Sequence, residues 1–356
     1  MPPPRSTTGA VGWMRENLFS SPLNIALTIL AAYILYTLVP PIIEWAFLKA
    51  DFVGTSQKDC ESGGACWVFV GNRLGFFIYG FYPEALRWRV NTCFLLLAIV
   101  LVPQFFEAIP GRKWLGLFGL TLFPIIVGVL MLGGTMGLEH VPTNKWGGIM
   151  LTLVLSYVGI VAALPIGTLL ALGRRSDMPV IRTICVVFIE LWRGVPLISV
   201  LFMASVMLPL FLPEGVNFDK LLRALIGIVM FQSAYMAEVI RGGLQAIPSG
   251  QYEAADALGL GYWRKMGLII LPQSLKLVIP GIVNTFIALF KDTTLVLIIG
   301  LFDILATVQA TIVDPAWNDV ATEGYVFAAL CFWVFCFGMS QYSQSLERKL
   351  ETGHKR

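Results

Sequence analysis

The sequence predicts an all-α, polytopic membrane protein with about eight transmembrane helices, and three observations predict it. Hydrophobic residues make up 57% and charged residues 13% of 356, with a mean hydropathy of +0.76, whereas a soluble domain carries roughly 25% charged residues. Charge-poor runs recur at the length, about 20 residues, that crosses a hydrocarbon core of roughly 30 Å. Lys and Arg gather in alternate gaps between those runs, as they do where every second gap faces the cytoplasm.

The runs lie at about Leu23–Ala46, Val90–Phe106, Trp114–Leu132, Ile149–Leu172, Val195–Leu212, Leu221–Ile240, Leu268–Leu289 and Tyr325–Tyr342. The first is long and lacks a small-residue cleavage pattern, so it is expected to stay as an anchor, with the mature chain beginning near Met1. Thr293–Ala306 is too short to span comfortably and follows Lys291 and Asp292, which predicts a short or re-entrant helix. Pro165 and Gly167 are expected to bend the fourth span. Between the fourth and fifth spans, Met178–Trp192 is apolar but bracketed by charge, and joined to the fifth it would make a helix of roughly 50 Å. A break is therefore expected at Gly194-Val195-Pro196, leaving Met178–Trp192 along the interface with Glu190 and Arg193 paired at i, i+3.

An even count puts both ends of the chain on one side. With both inside, the inner segments hold Arg5 and Arg15, Arg112 and Lys113, Arg174, Arg175 and Arg182, Arg241, Arg264 and Lys265, and the basic tail over 347–356. The loop over about 47–89 then lies outside, and it dissents with Lys49, Lys58, Arg73, Arg87 and Arg89. Cys60 and Cys66 in that loop either close a disulfide, if it faces an oxidising compartment, or stay free thiols. Cys93, Cys185, Cys331 and Cys336 lie in or beside apolar runs as small hydrophobes, and no metal-ligand spacing occurs. A net charge of +3 spread between loops gives no nucleic-acid surface.

Gly133–Trp146 is a linker dividing a three-span N-terminal extension, 1–135, from a five-span portion, 146–346, that carries the motifs. The long polar interruption over about 242–267 predicts a short helix: Ser249 as N-cap, Glu253 in the early turns, Ala254 and Ala255 as helix formers, Gly259 at C′. Tyr252, Ala255 and Leu258 give it a shallow apolar stripe. From periodicity alone this is either a partner-docking helix or an ordinary interfacial one.

Glu253-Ala254-Ala255, then Gly259, then Ile270-Leu271-Pro272, resembles the EAA loop of binding-protein-dependent ABC importers. That resemblance implies a type I importer permease whose loop is a coupling helix seated in a cytoplasmic ATPase subunit, with a binding protein on the opposite face. Glu190-Leu191-Trp192-Arg193-Gly194-Val195-Pro196-Leu197 resembles the ELFRGTPL element of polar-amino-acid permeases, and Lys291-Asp292-Thr293-Thr294-Leu295 their KDTSL element. Trp192, Val195 and Thr294 depart from those words. The long N-terminal portion, with Gly63-Gly64-Ala65-Cys66-Trp67, resembles the M-type subunit of general L-amino-acid importers, which implies pairing with a second related permease in the bacterial inner membrane.

No G-x-x-x-x-G-K-S/T phosphate loop occurs, so the chain is expected to bind no cofactor and to leave ATP to a partner. With only His140 and His354, and no paired carboxylates or Ser-His-Asp set, no enzyme constellation is legible. For the substrate path, Gln232, Ser233 and Tyr235 in the sixth span and Lys276 and Asn284 in the seventh are the candidates. Each residue singly is as well read as helix packing, or as snorkelling for Lys276. Alternative functions are import of another small polar solute by the same loop, or a non-ABC channel or scaffold.

Overall fold

The structure is a computed structural model and describes residues 9–106, 109–135, 137–211, 213 and 218–350. Arg5 and tail residues 351–356 lie outside that set. The chain groups into two compact units, Met1–Asn72 with Asp314–Glu323, and Arg73–Val313 with Gly324–Arg356.

In the first unit, α1 (Gly9–Asn17) leads into α2 (Pro22–Ile43), which continues through a π turn over Glu44–Leu48. Ser21 caps α2 by accepting from Asn24 N at 3.2 Å. No residue of α2 is buried, as suits a helix whose apolar side chains face lipid tails. Beyond it, Cys60 and Cys66 are disulfide-bonded with Cα atoms 5.5 Å apart. Cys66 N donates to Glu323 Oε1 at 3.0 Å, Gln57 exchanges two 2.6 Å hydrogen bonds with the Asn318 backbone, and Phe69 meets Trp317 edge-on at 5.4 Å. The loop is thus tied to the segment before the last helix.

The segment read as an outer loop is partly helical. α3 (Trp67–Tyr79) buries Val68, Phe69 and Phe77, and is too short to span. Within the second unit, the turn that follows α3 lies backbone to backbone with Gly147: a Cβ on Gly80 (φ +61) would lie 2.4 Å from Gly147 Cα. α4 (Arg87–Leu101) begins before the predicted Val90 because Arg89 is buried, its guanidinium donating to Glu139 O at 2.7 Å. α5 (Arg112–Leu132) follows.

α6 (Gly148–Arg174) runs as one helix through Pro165. α7 (Pro179–Gly194) and α8 (Leu197–Phe202), the latter extended by π and 3₁₀ turns to Phe211, are bent by 102° across the Gly194–Pro196 break. α9 (Lys220–Ala246) is the most buried span and pairs closely with α6. Ala163 and Ala171 on one helix and Ala224, Ala234 and Ala237 on the other are buried, and small residues let helices approach in a bilayer. Then come α10 (Ser249–Ala257), α11 (Tyr262–Lys265), a π turn, α12 (Leu271–Leu277), α13 (Ile279–Asp292), α14 (Ile304–Ile312) and α15 (Ala321–Leu350). Among the described residues seven helices are long and apolar enough to cross a membrane, or eight if the bent α7–α8 pair is one span.

The seventh span is displaced from its predicted place. The apolar window at Leu268–Leu289 breaks at Val278, and the spanning helix is Ile279–Ile299. Pro280 sits in its first turn, where a missing N–H costs nothing, instead of kinking its middle. Thr293–Ala306 is correspondingly not a separate re-entrant helix. Thr293–Ile299 continues α13 as a 3₁₀ turn that stops at Gly300 (φ +71), and Ile304 starts α14.

Candidate functional site

α10 is held by its own chain on one side and bare on the other. Its first residue is Ser249, with Pro248 in the N-cap position and no side-chain cap, so the predicted Ser249 cap does not form. Proline fixes an extended-to-helical entry without a hydroxyl acceptor. At the far end Leu260 N donates to Ala255 O at 3.2 Å and Gly259 N to Asp256 O at 2.9 Å, with Gly259 at φ +69. That pair is a Schellman motif, so Gly259 stands at C′. Of the apolar stripe, Ala255 is buried and Tyr252 half-buried against the chain itself, while Leu258 is 74% exposed. Tyr252 and Ala255 therefore seat α10, while Leu258 faces outward. The bare side carries Glu253, Ala254 and Leu258, with Trp263 just beyond, 70% exposed. Leu271 and Pro272 open α12, where Gln273 reaches back to Gln251 Oε1 at 3.1 Å.

Tyr252 links this helix to the spans. Its hydroxyl donates to Leu244 O at 3.1 Å and accepts from Arg175 Nη1 at 3.1 Å, while the Arg175 guanidinium lies 5.6 Å from the ring centre. Next door, Arg174 pairs with Glu190 of α7 at 2.7 Å and Glu238 of α9 at 3.0 Å. Glu238 also takes Arg241 at 2.9 Å, and Arg193 stands 3.8 Å from Glu238 and 3.9 Å from Glu190. Three guanidiniums thus surround two carboxylates where α6, α7 and α9 converge. Exposed pairs contribute little singly, but Glu238 is only 16% exposed and its removal leaves several cations facing one another. Partial burial raises the Tyr262 phenol above its ordinary value.

The remaining candidates separate. Gln232 and Ser233 are buried, the amide donating to Thr285 O of α13 at 2.7 Å and the hydroxyl to Val229 O of its own helix at 2.6 Å. Tyr235 is 38% exposed, with Arg193 at 5.7 Å from its ring and Phe231 at 4.9 Å. Asn284 is exposed on α13, and Lys276 is exposed on α12, outside the spanning helix. Lys291 is exposed, Asp292 half-buried and Thr293 buried with its hydroxyl on Phe290 O at 2.8 Å. Gly194 ends α7, and Pro196 is the N-cap residue of α8.

Two cavities lie elsewhere in the same unit. One of about 550 Å³ is walled by α4, α5, α6 and α9, with His140, Thr143, Tyr157 and Asp219 among its polar members, and one of about 410 Å³ is lined by α7, α8 and α9 with Met203, Met207, Met230 and the charged Arg223. None of the five path candidates lines either. The residues that sequence reading missed are Arg174, Arg175 and the Tyr252 hydroxyl. The two arginines registered only as inward-side charge, and the tyrosine only as part of an apolar stripe.

Comparison with known proteins gives a consistent result. The family model described as binding-protein-dependent transport system inner membrane component matches residues 163–352. An Escherichia coli K12 protein, inner membrane amino-acid ABC transporter permease protein YhdY, is 57% identical over 355 residues, covering 99% of this chain and 97% of its own. The glutamate/glutamine/aspartate/asparagine transport system permease protein BztC of Rhodobacter capsulatus is 40% identical over 99% of this chain and 96% of its own. A chain of the crystal structure of an amino acid ABC transporter with histidines superposes with a TM-score of 0.50 at 28% identity, covering 57% of this chain and 92% of that one. With the exposed helix closed at Gly259 and the match across more than half its length, this chain belongs to the binding-protein-dependent transport system inner membrane component family, the permease subunits of ABC importers.

Proposed function

We propose that this permease imports polar L-amino acids, with α10 as the coupling helix that receives force from a cytoplasmic ABC ATPase dimer. The observation that carries the reading is the bare face of α10, Glu253, Ala254 and Leu258, on a helix tied through Tyr252 to the converging ends of α6, α7 and α9. A short helix seated on one side and bare on the other suits a groove in a partner. The names of the two relatives at 57% and 40% identity supply the substrate class.

The chain then pairs with a second related permease and receives solute from a periplasmic amino-acid-binding protein, while ATP is bound and hydrolysed by the partner ATPase. Both termini lie in the cytoplasm, which puts α10 inside and the Cys60–Cys66 disulfide in the oxidising periplasm. The extension over 1–135 precedes the permease core over 146–346, and 347–356 forms a basic cytoplasmic tail. Tyr235 and Asn284, exposed on spanning helices, remain the path candidates, and Lys276 flanks them. Glu190, Arg193, Gly194 and Pro196 shape the elbow between α7 and α8.

The test is co-reconstitution in liposomes with the partner permease, ATPase and binding protein, and uptake of a labelled amino-acid panel. Polar L-amino acids accumulating only with ATP and binding protein is the expected result. ATP hydrolysis without amino-acid uptake would keep the coupling architecture and overturn the substrate.

A further inference from the structure

We infer that Arg174 and Arg175, adjacent at the end of α6, are positioning residues that carry the movement of α10 into the elbow between α7 and α8. The inference rests on the coupling role proposed above and names the residues through which that role acts. Arg175 grips α10 by two interactions with a single side chain, a 3.1 Å hydrogen bond to the Tyr252 hydroxyl and a 5.6 Å approach to its ring. Tyr252 is in turn anchored to Leu244 O of α9 at 3.1 Å, so the grip has a fixed footing. One residue away, Arg174 holds Glu190 of α7 and Glu238 of α9 at 2.7 and 3.0 Å. A shift of α10 that drags Arg175 thus displaces Arg174 through one peptide unit, which is planar and stiff.

From there the contacts lead to the elbow. Glu190 lies one helical turn before Gly194, where α7 ends, and the chain turns by 102° into α8. Few residues absorb that bend, as in hinges generally. Arg193, between the two carboxylates, lies 5.7 Å from the ring of Tyr235, which is exposed on α9. Charge-assisted contacts are directional and short, so they pass a displacement that an apolar contact would let slip. No other described ion pair joins α6 to both α7 and α9.

The experiment uses the full reconstituted complex and compares Arg175→Ala, Tyr252→Phe and their double variant, with Arg174→Ala alongside. Uptake and ATP hydrolysis are both measured, together with complex yield and a spin-label distance between α7 and α8 with and without ATP. Uptake per ATP hydrolysed is expected to fall about tenfold in each single variant, inside the roughly 5–150-fold range of coupling between sites. The double variant is expected to be no worse than Arg175→Ala, because both changes cut one link. The ATP-dependent change in the α7–α8 distance should shrink in Arg175→Ala and Arg174→Ala alike. A role in assembly alone would lower yield, uptake and hydrolysis in proportion, and that result overturns the inference. So would an unaltered distance change, or losses that multiply in the double variant. The distance readout needs no transported solute, so it stands apart from any failure of the amino-acid assignment.

Discussion

Replacing Gly259 with valine tests the coupling helix at the point where its geometry is most constrained. Gly259 holds φ +69, and an L-residue with a Cβ pays about 1–2 kcal/mol in that left-handed region. A Cβ there would meet nothing within 4 Å, so steric collision adds no further cost and the whole effect is conformational. By itself 1–2 kcal/mol shifts the balance between closed and frayed helix end by roughly 5–30-fold. Fraying gives up the bonds from Leu260 N to Ala255 O and from Gly259 N to Asp256 O. The assay is paired: hydrogen exchange at residues 258–261 reports the turn, and ATP-driven uptake in liposomes reports coupling. Gly259→Val is expected to speed exchange and cut uptake by about the same factor, whereas Gly259→Asn, tolerated in this region, should lose much less. If asparagine is as damaging as valine, bulk at the partner surface and not backbone conformation is responsible, and the reasoning fails.

Burial pushes the Asp303 carboxyl up to about 6, opposed in part by its hydrogen bond from Ala306 N at 2.9 Å. The fold therefore favours its protonated form: the stability this group contributes is full below the ordinary carboxylate value of 3.8 and is lost as pH rises through about 6, up to about 3 kcal/mol. Asp303→Asn keeps an acceptor for Ala306 N, so thermal unfolding in detergent should become flatter between pH 4 and 8 and rise at pH 8; parallel curves would contradict this. Gly148→Ala should destabilise by more than about 2 kcal/mol, since φ is +65 and the new Cβ would stand 2.2 Å from Phe77 O, and an unchanged melting temperature would show that α3 moves freely off α6. Cys60→Ser opens a ring with a sequence separation of 6 and should cost about 2 kcal/mol, read as a loss of the reductant-dependent part of thermal stability.

Much of the bundle was legible because a bilayer imposes a length and an apolarity on every crossing, and both are local properties. The α7–α8 break at Gly194–Pro196, the C′ position of Gly259 and the Glu190–Arg193 pair follow from proline chemistry, backbone sterics and helical spacing. The seventh span was misplaced because hydropathy does not distinguish Leu268–Leu277 from lipid-facing helix; the break at Val278 and the position of Pro280 in a first turn decided it. Gln232 and Ser233 stand out in the sequence because polar side chains in a span are rare, but which carbonyls they reach, Thr285 O on another helix and Val229 O on their own, is a matter of tertiary packing and backbone geometry. By itself the sequence determined a polytopic helical permease and the short helix closed at Gly259, since periodicity, turn chemistry and motif are written in neighbouring residues. Only the tertiary structure decided that Arg174 and Arg175 join α10 to α7 and α9. Their partners lie 16 to 77 positions away, and no local pattern encodes which distant carboxylate or phenol a guanidinium will meet.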